Sequence, residues 1–330
     1  MLRHAVRHLI RALALIIILV GASAGVFWAW ERQIFNAPGP HQDQVFVIIN
    51  PGDGHASIRW TLKRAGVIDE LYAYDAARIW LGRDFLPKAG EYSIPAGASL
   101  AKTMQIIDAG VSYQRRITVV EGLRSSQILE VIAAAPHLEG EIDIAVDEGS
   151  ILPETYFFTH GTSRLALLER MQEKHAMLLI EAWQNRDKDI PIKTREEAVI
   201  LASIVEKESR DPVERRLVAG VFMNRLNRGM RLQSDPTVLY GIDDNPERTI
   251  TKSDLKRKTP WNTYTIKGLP KTAICNPGED AIEATLNPAE TKYLYFVSDG
   301  KGGLLFAKTL DEHNRNVRQF RKIQRAAKAQ

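Results

Sequence analysis

The chain has 330 residues, 45% hydrophobic and 25% charged, enough for roughly two domains with real cores. Its formal net charge of +4 includes Arg3, Arg7 and Arg11 ahead of any acidic residue. The balanced remainder does not suggest a nucleic-acid binder, and the single cysteine, Cys275, excludes an internal disulfide or a cysteine-based metal cluster.

Residues Ala12 to Trp30 (ALALIIILVGASAGVFWAW) carry no charge over nineteen positions. As a helix they would span roughly 28 Å, close to the hydrocarbon thickness of a bilayer. The basic flank MLRHAVRHLIR predicts a cytoplasmic N-terminus, and Trp28 and Trp30 suit the far interface. Ala22-Ser23-Ala24 is similar to a signal-peptidase site. The apolar run continues through Val26 to Trp30, however, where a secreted chain would turn polar, so an uncleaved anchor over 1–30 is the expectation.

Three stretches then repeat a β-rich run, a glycine turn and an amphipathic helix: 45–68, 90–110 and 115–136. They break at Pro51-Gly52, Ala96-Gly97 and Glu121-Gly122, and Gly110 closes the second helix as a C-cap. Such βα units, the second above all, resemble LysM glycan-binding modules; a generic α+β layer is the competing expectation. The first region is set at 31–150.

From 151 onward helical signals dominate. A helix is predicted around Ser163 to Trp183. A second follows in Thr194–Arg210 (TREEAVILASIVEKESR), opened by Thr194 and Glu197 as a capping box. Leu201, Ile204, Val205 and Glu208 recur at i, i+3, i+4 and i+7, so one face carries a carboxylate with the apolar stripe. Glu206 falls on the row of Val199, Ala202 and Ser203. Asp211-Pro212-Val213-Glu214 starts a third helix, which buries Leu217, Val218, Val221 and Phe222 and stops near Gly229. Glu208 therefore sits at a helix-turn-helix corner. Loops 230–241 and 261–270 follow, then a hairpin over 293–309 and a basic C-terminal helix. The fold class is α+β: an N-terminal membrane helix, small βα modules, and a helix-rich domain over 151–330 with an added β element.

Several chemistries lack their residues. The eight histidines are scattered without an H-E-x-x-H, which argues against a zinc hydrolase. Gly300-Lys301-Gly302-Gly303 lacks the spacing of a phosphate loop and serves a hairpin turn. Ser99-Leu100-Ala101-Lys102 matches an S-x-x-K, but no K-T-G accompanies it, and Ser99 reads as a helix cap. Cys275 reads as a small semi-buried residue. A carboxylic acid remains. Glu208, drawn into an apolar stripe, is expected to have a raised pKa and to suit general acid catalysis. Solvation at the helix end or pairing with Arg210 is the alternative. Glu206 cannot face Glu208, since residues two apart on a helix diverge. Asp235 or Glu154 could supply a second carboxylate only through tertiary folding. Gln233, Ser234, Asp235, Asn262, Thr263 and Tyr264 bring amide, hydroxyl and aromatic groups suited to a sugar groove.

Taken in order, VVEGLR (119–124), LPETY (152–156), LASIVEKES (201–209), VFMNRL (221–226), GMRLQSDPTVLYG (229–241), NTYTIKGLP (262–270) and YLYFVSDGKGG (293–303), behind an anchor, resemble one family. It is the endolytic murein transglycosylases, the YceG-like membrane-anchored lytic transglycosylases. The resemblance covers nearly the whole exported chain, and the block 201–241 is its most specific part. It implies that Glu208, the second Glu of the E-K-E segment, is the catalytic acid and base. At the junction motif Glu154 stands where Asp also occurs.

The activity implied is cleavage of the β-1,4 bond between N-acetylmuramic acid and N-acetylglucosamine within peptidoglycan, leaving 1,6-anhydro ends. The implied role is release or termination of nascent strands beside peptidoglycan synthases, with no cofactor, no metal and no nucleic acid. Two rivals stand beside it: a two-carboxylate hydrolase using Glu208 and Asp235, and a noncatalytic anchored glycan-binding scaffold.

Overall fold

The computed structural model describes residues 2–81, 85–242 and 248–328. They divide into two compact units, Met1–Arg115 and Arg116–Gln330.

The first unit begins with α1 (Leu2–Asn36), whose stretch Ile10–Asn36 is long and apolar enough to cross a membrane. Next come β1 (Val45–Ile49), α2 (His55–Arg64), α3 (Leu71–Leu81), β2 (Gly90–Ile94) and α4 (Leu100–Ala109). β1 and β2 pair antiparallel, Val45 opposite Ile94 and Ile49 opposite Gly90. Alternation puts Val47, Ile49, Tyr92 and Ile94 on the buried face. There they meet Ile58 and Leu62 of α2, Tyr74 of α3 and Met104 and Ile107 of α4, with Phe35 of α1 in the same core. Ser99 caps α4, its Oγ accepting from Lys102 N–H, and Gly110 ends that helix in the left-handed region at φ +68°. The first two βα stretches thus form one sheet in one core, with α3 between them, rather than separate repeats.

The third stretch belongs elsewhere, which moves the division from near residue 150 to the start of β3 (Arg115–Thr118). β3 pairs with β5 (Thr155–Phe158), while β4 (Leu138–Glu139) and β6 (Thr162–Ser163) form a short parallel pair. Ile128 and Ile132 of α5 (Ser125–Ala134) pack with Tyr156, Phe158, Leu167 and Met171, the last two on α6 (Arg164–Gln184). Apolar partners contributed from 150 onward therefore draw 116–136 into the second unit.

α7 (Arg195–Glu208), α8 (Pro212–Asn227) and α10 (Glu279–Leu286) build the other core of that unit, with α9 (Asp235–Tyr240) between α8 and α10 in the chain. Thr194 caps α7, its Oγ1 accepting from Glu197 N–H at 3.1 Å; Glu197 reaches back to the N–H of Lys193 rather than of Thr194. Asp211 caps α8 by accepting from the N–H groups of Val213 and Glu214. The expected stripe on α7 is not what the structure shows. Every residue from Leu201 to Glu206 is buried, because α6, α8, α9 and α10 all pack against the helix. A helix enclosed on all sides has no single apolar face. β7 (Tyr295–Ser298) and β8 (Leu304–Ala307) pair antiparallel, and α11 (Leu310–Lys328) closes the chain.

Candidate active site

The buried run of α7 ends at Glu206, and Glu208 is the last helical residue, where the backbone leaves the core. Ser209 turns the chain, its Oγ donating to Glu214 Oε2 at 3.1 Å and accepting from Asp211 N–H at 3.2 Å. Glu208 keeps an exposed edge, yet its carboxyl is closely surrounded by protein. Burial pushes its pKa up to about 7; the Ser234 hydrogen bond and the Arg225 charge oppose the rise, and the Asp235 charge adds to it. Such a group can both give and take a proton near neutrality.

Oε1 of Glu208 accepts a 2.6 Å hydrogen bond from Ser234 Oγ. The Ser234 segment is itself rigidly held. Its N–H donates to Thr263 Oγ1 at 2.9 Å, Thr237 Oγ1 donates to its carbonyl at 2.6 Å, and Thr237 and Thr263 share a 2.8 Å hydroxyl contact. Just before it, Gln233 has φ +52°, a left-handed backbone uncommon for a residue with a side chain. This turn sends the exposed Gln233 outward while Ser234 points in.

Asp235 begins α9 in the open, and Oδ1 accepts from the Tyr264 hydroxyl at 2.6 Å. Burial, with the neighbouring Asp235, pushes the Tyr264 phenol up, so it stays a donor. Asn262 and Thr263 are wholly enclosed. The Asn262 amide donates to the carbonyls of Asp254, Leu255 and Arg257, and its Oδ1 accepts from Tyr264 N–H. These two residues shape the loop and offer no surface to a ligand. Ser234, Asp235 and Tyr264 are thus gathered with Glu208, while Gln233 stands exposed on the same turn. Glu154 has another setting: it is exposed, pairs with Lys174 Nζ at 2.6 Å, and lines a groove with Glu181, Glu279 and Asp280.

Glu206 is held apart from this opening. Arg215 Nη2 donates to its Oε1 at 2.8 Å and Gly278 N–H to its Oε2 at 3.0 Å. Burial pushes its pKa up, against the pull of those two donors. Arg215 also meets Glu121 at 3.2 Å and Asp280 at 3.5 Å, so the VVEGLR and E-K-E motifs are tied through one arginine. A Cβ at Gly278 would run into the Glu121 carboxyl.

Arg225 carried no expectation from sequence. It is buried in α8, with Nε donating to Leu294 O at 2.6 Å and Nη1 to Leu232 O at 2.5 Å, and its guanidinium lies 5.3 Å from the Tyr295 ring centre. It anchors the backbone immediately before Gln233 and Ser234. The signal available was a cation three residues after Phe222 on a face otherwise apolar.

The sequence profile of the YceG-like family matches residues 47–319. An endolytic murein transglycosylase of Bacillus subtilis (strain 168) is 29% identical over 307 residues, 84% of each chain. One of Streptococcus pneumoniae (strain R6) is 33% identical over 178 residues, 52% of this chain and 31% of that protein. A crystal structure of a yceG-like protein from Listeria monocytogenes superposes with a TM-score of 0.53 at 26% identity, covering 83% of this chain and 98% of that one. With its profile match running from within β1 through the whole Glu208 corner to α11, this chain belongs to the YceG-like family.

Proposed function

We propose that the protein is an endolytic peptidoglycan lytic transglycosylase with Glu208 as its single acid and base. The observation that carries this is the Glu208 carboxyl, raised to about 7 by burial and facing a hydroxyl donor rather than a cation. Protonated Glu208 gives its proton to the glycosidic oxygen as the muramoyl C1–O bond breaks. The muramoyl 6-hydroxyl oxygen bonds to C1, and its proton passes to the Glu208 carboxylate. The proton balance closes and no water enters. Gln233, Ser234, Asp235 and Tyr264 border the sugar, Asn262 and Thr263 hold their loop, and Glu154 contacts the strand or its peptides farther along.

Engagement of Asp235 by Tyr264 favours a positioning role for that carboxylate over water activation. The N-terminal helix anchors the chain in the cytoplasmic membrane with its first residues in the cytoplasm and both units outside. The resemblance of the βα stretches, 90–110 above all, to LysM modules supports a glycan-holding role for the unit built on the β1–β2 pair, near peptidoglycan synthases. The test is mass spectrometry of digested glycan strands in ¹⁸O-labelled water. Unlabelled 1,6-anhydro ends are expected from the wild type and none from Glu208→Gln; labelled reducing ends as the main product would replace this reading with a hydrolase.

A further inference from the structure

α1 does not stop where its apolar run ends. It continues unbroken from Trp30 to Asn36, and Phe35 is already part of the first unit's core. Five residues of helix rise only about 7–8 Å. The core of this unit therefore begins within that distance of Trp30, at the membrane interface.

Between α1 and α3 lies a mostly apolar groove of about 360 Å³. One wall is Phe27 and Trp30, which belong to the apolar run; the other is Tyr72, Ala76 and Ile79 of α3. Residues that share a groove share a depth. With Trp30 at the interface, α3 lies at the interface too. The exposed side chains agree: Ile79 is 76% and Tyr72 59% exposed, and with the exposed Phe27 and Trp30 across the groove they form one contiguous apolar patch, the kind of surface that marks a membrane or partner site. Alanines at 73, 76 and 77 keep α3 low, so the groove stays open along the helix pair. Arg32 also borders the groove, with its guanidinium 5.2 Å from the Trp28 ring centre, placing a cation at headgroup level.

The geometry points to a phospholipid site: one acyl chain lies in the α1–α3 groove, its phosphate beside Arg32, and α3 rides in the outer face of the bilayer. This site holds the first exported unit against the membrane instead of leaving it on a free tether. It rests on the reading of α1 as a bilayer-spanning anchor.

The test uses the full chain. Cys275 is buried, so Ile79→Cys can be labelled with bimane in the native protein. In phosphatidylglycerol–phosphatidylcholine vesicles, nitroxide lipids should cut its emission about twofold or more, as for a probe roughly 5–10 Å into the headgroup–acyl boundary. Aqueous iodide should quench it little. Native mass spectrometry should find the protomer carrying a phospholipid that Ala76→Trp, which fills the groove, loses. Retention in vesicles through a high-salt wash with iodide quenching and no lipid quenching would overturn the site while sparing the anchor. A dimer mass in place of the lipid adduct would assign the groove to a second copy. Release of the chain by the wash would overturn anchor and site together.

Discussion

The Ser234 hydroxyl donates a 2.6 Å hydrogen bond to Glu208 Oε1, tying the end of α7 to the N-cap of α9. A neutral donor steadies the carboxylate without pinning it as a cation would. The residue keeps a proton affinity close to neutral while its orientation is held by a loop that Thr237, Thr263 and Arg225 lock in place.

Glu208→Gln should lower glycan cleavage at least about 10²-fold, the lower end for loss of general acid catalysis. Glu206→Gln should act mainly on stability. It weakens a buried pair with Arg215, and removal of one such partner costs about 3 kcal/mol at the low end. Cleavage rates per folded molecule, set beside thermal melts, separate the two. A larger catalytic loss in Glu206→Gln than in Glu208→Gln would reverse the assignment.

Activity should fall as pH rises through about 7, where the acid form of Glu208 is lost. Ser234→Ala removes a donor that favours the carboxylate and should shift that limb upward. The same pKa acts on stability. With its folded value raised, Glu208 binds a proton more tightly in the native state, so its contribution is full below the unfolded value and is lost as pH rises toward 7. Glu208→Gln should therefore melt above the wild type at pH 8 and close to it at pH 4. The gap should be a few degrees, since about 1 kcal/mol shifts Tm roughly 2–4 °C in a unit of this size.

Arg225→Lys keeps the charge but cannot span Leu294 O and Leu232 O with one ammonium. It should loosen the turn at Gln233 and reduce kcat by about tenfold or more, in keeping with the sensitivity of catalysis to small misplacements. An ammonium drawn away toward one carbonyl would attract the Glu208 carboxylate less, which should also move the pH limb upward. A stability loss with unchanged kcat and pH profile would make Arg225 structural only.

Asp235→Asn leaves an acceptor for the Tyr264 hydroxyl and should lower activity without changing the end group. End-group analysis of its products should still find 1,6-anhydro rings. A switch to reducing ends, or a loss equal to that of Glu208→Gln, would give Asp235 a part in the chemistry.

Local chemistry in the sequence determined the caps and the corner. Thr194, Asp211, Ser99 and Gly110 act through backbone groups a few residues away, so their roles follow from spacing alone. The nineteen-residue apolar run likewise specifies its own helix. The surroundings of α7 were not legible. Its burial on every side depends on α10, which lies some seventy residues onward, and the apparent stripe was one part of a fully enclosed surface. Tertiary structure alone decided that Glu206 would meet Arg215 and the Gly278 N–H, and that Ser234, not Arg210, would meet Glu208. It also decided that Asn262 and Thr263 would turn inward and that 116–136 would join the second unit. Each of these depends on a partner distant in sequence, and a buried polar group is satisfied by whichever donor the packing brings within about 3 Å.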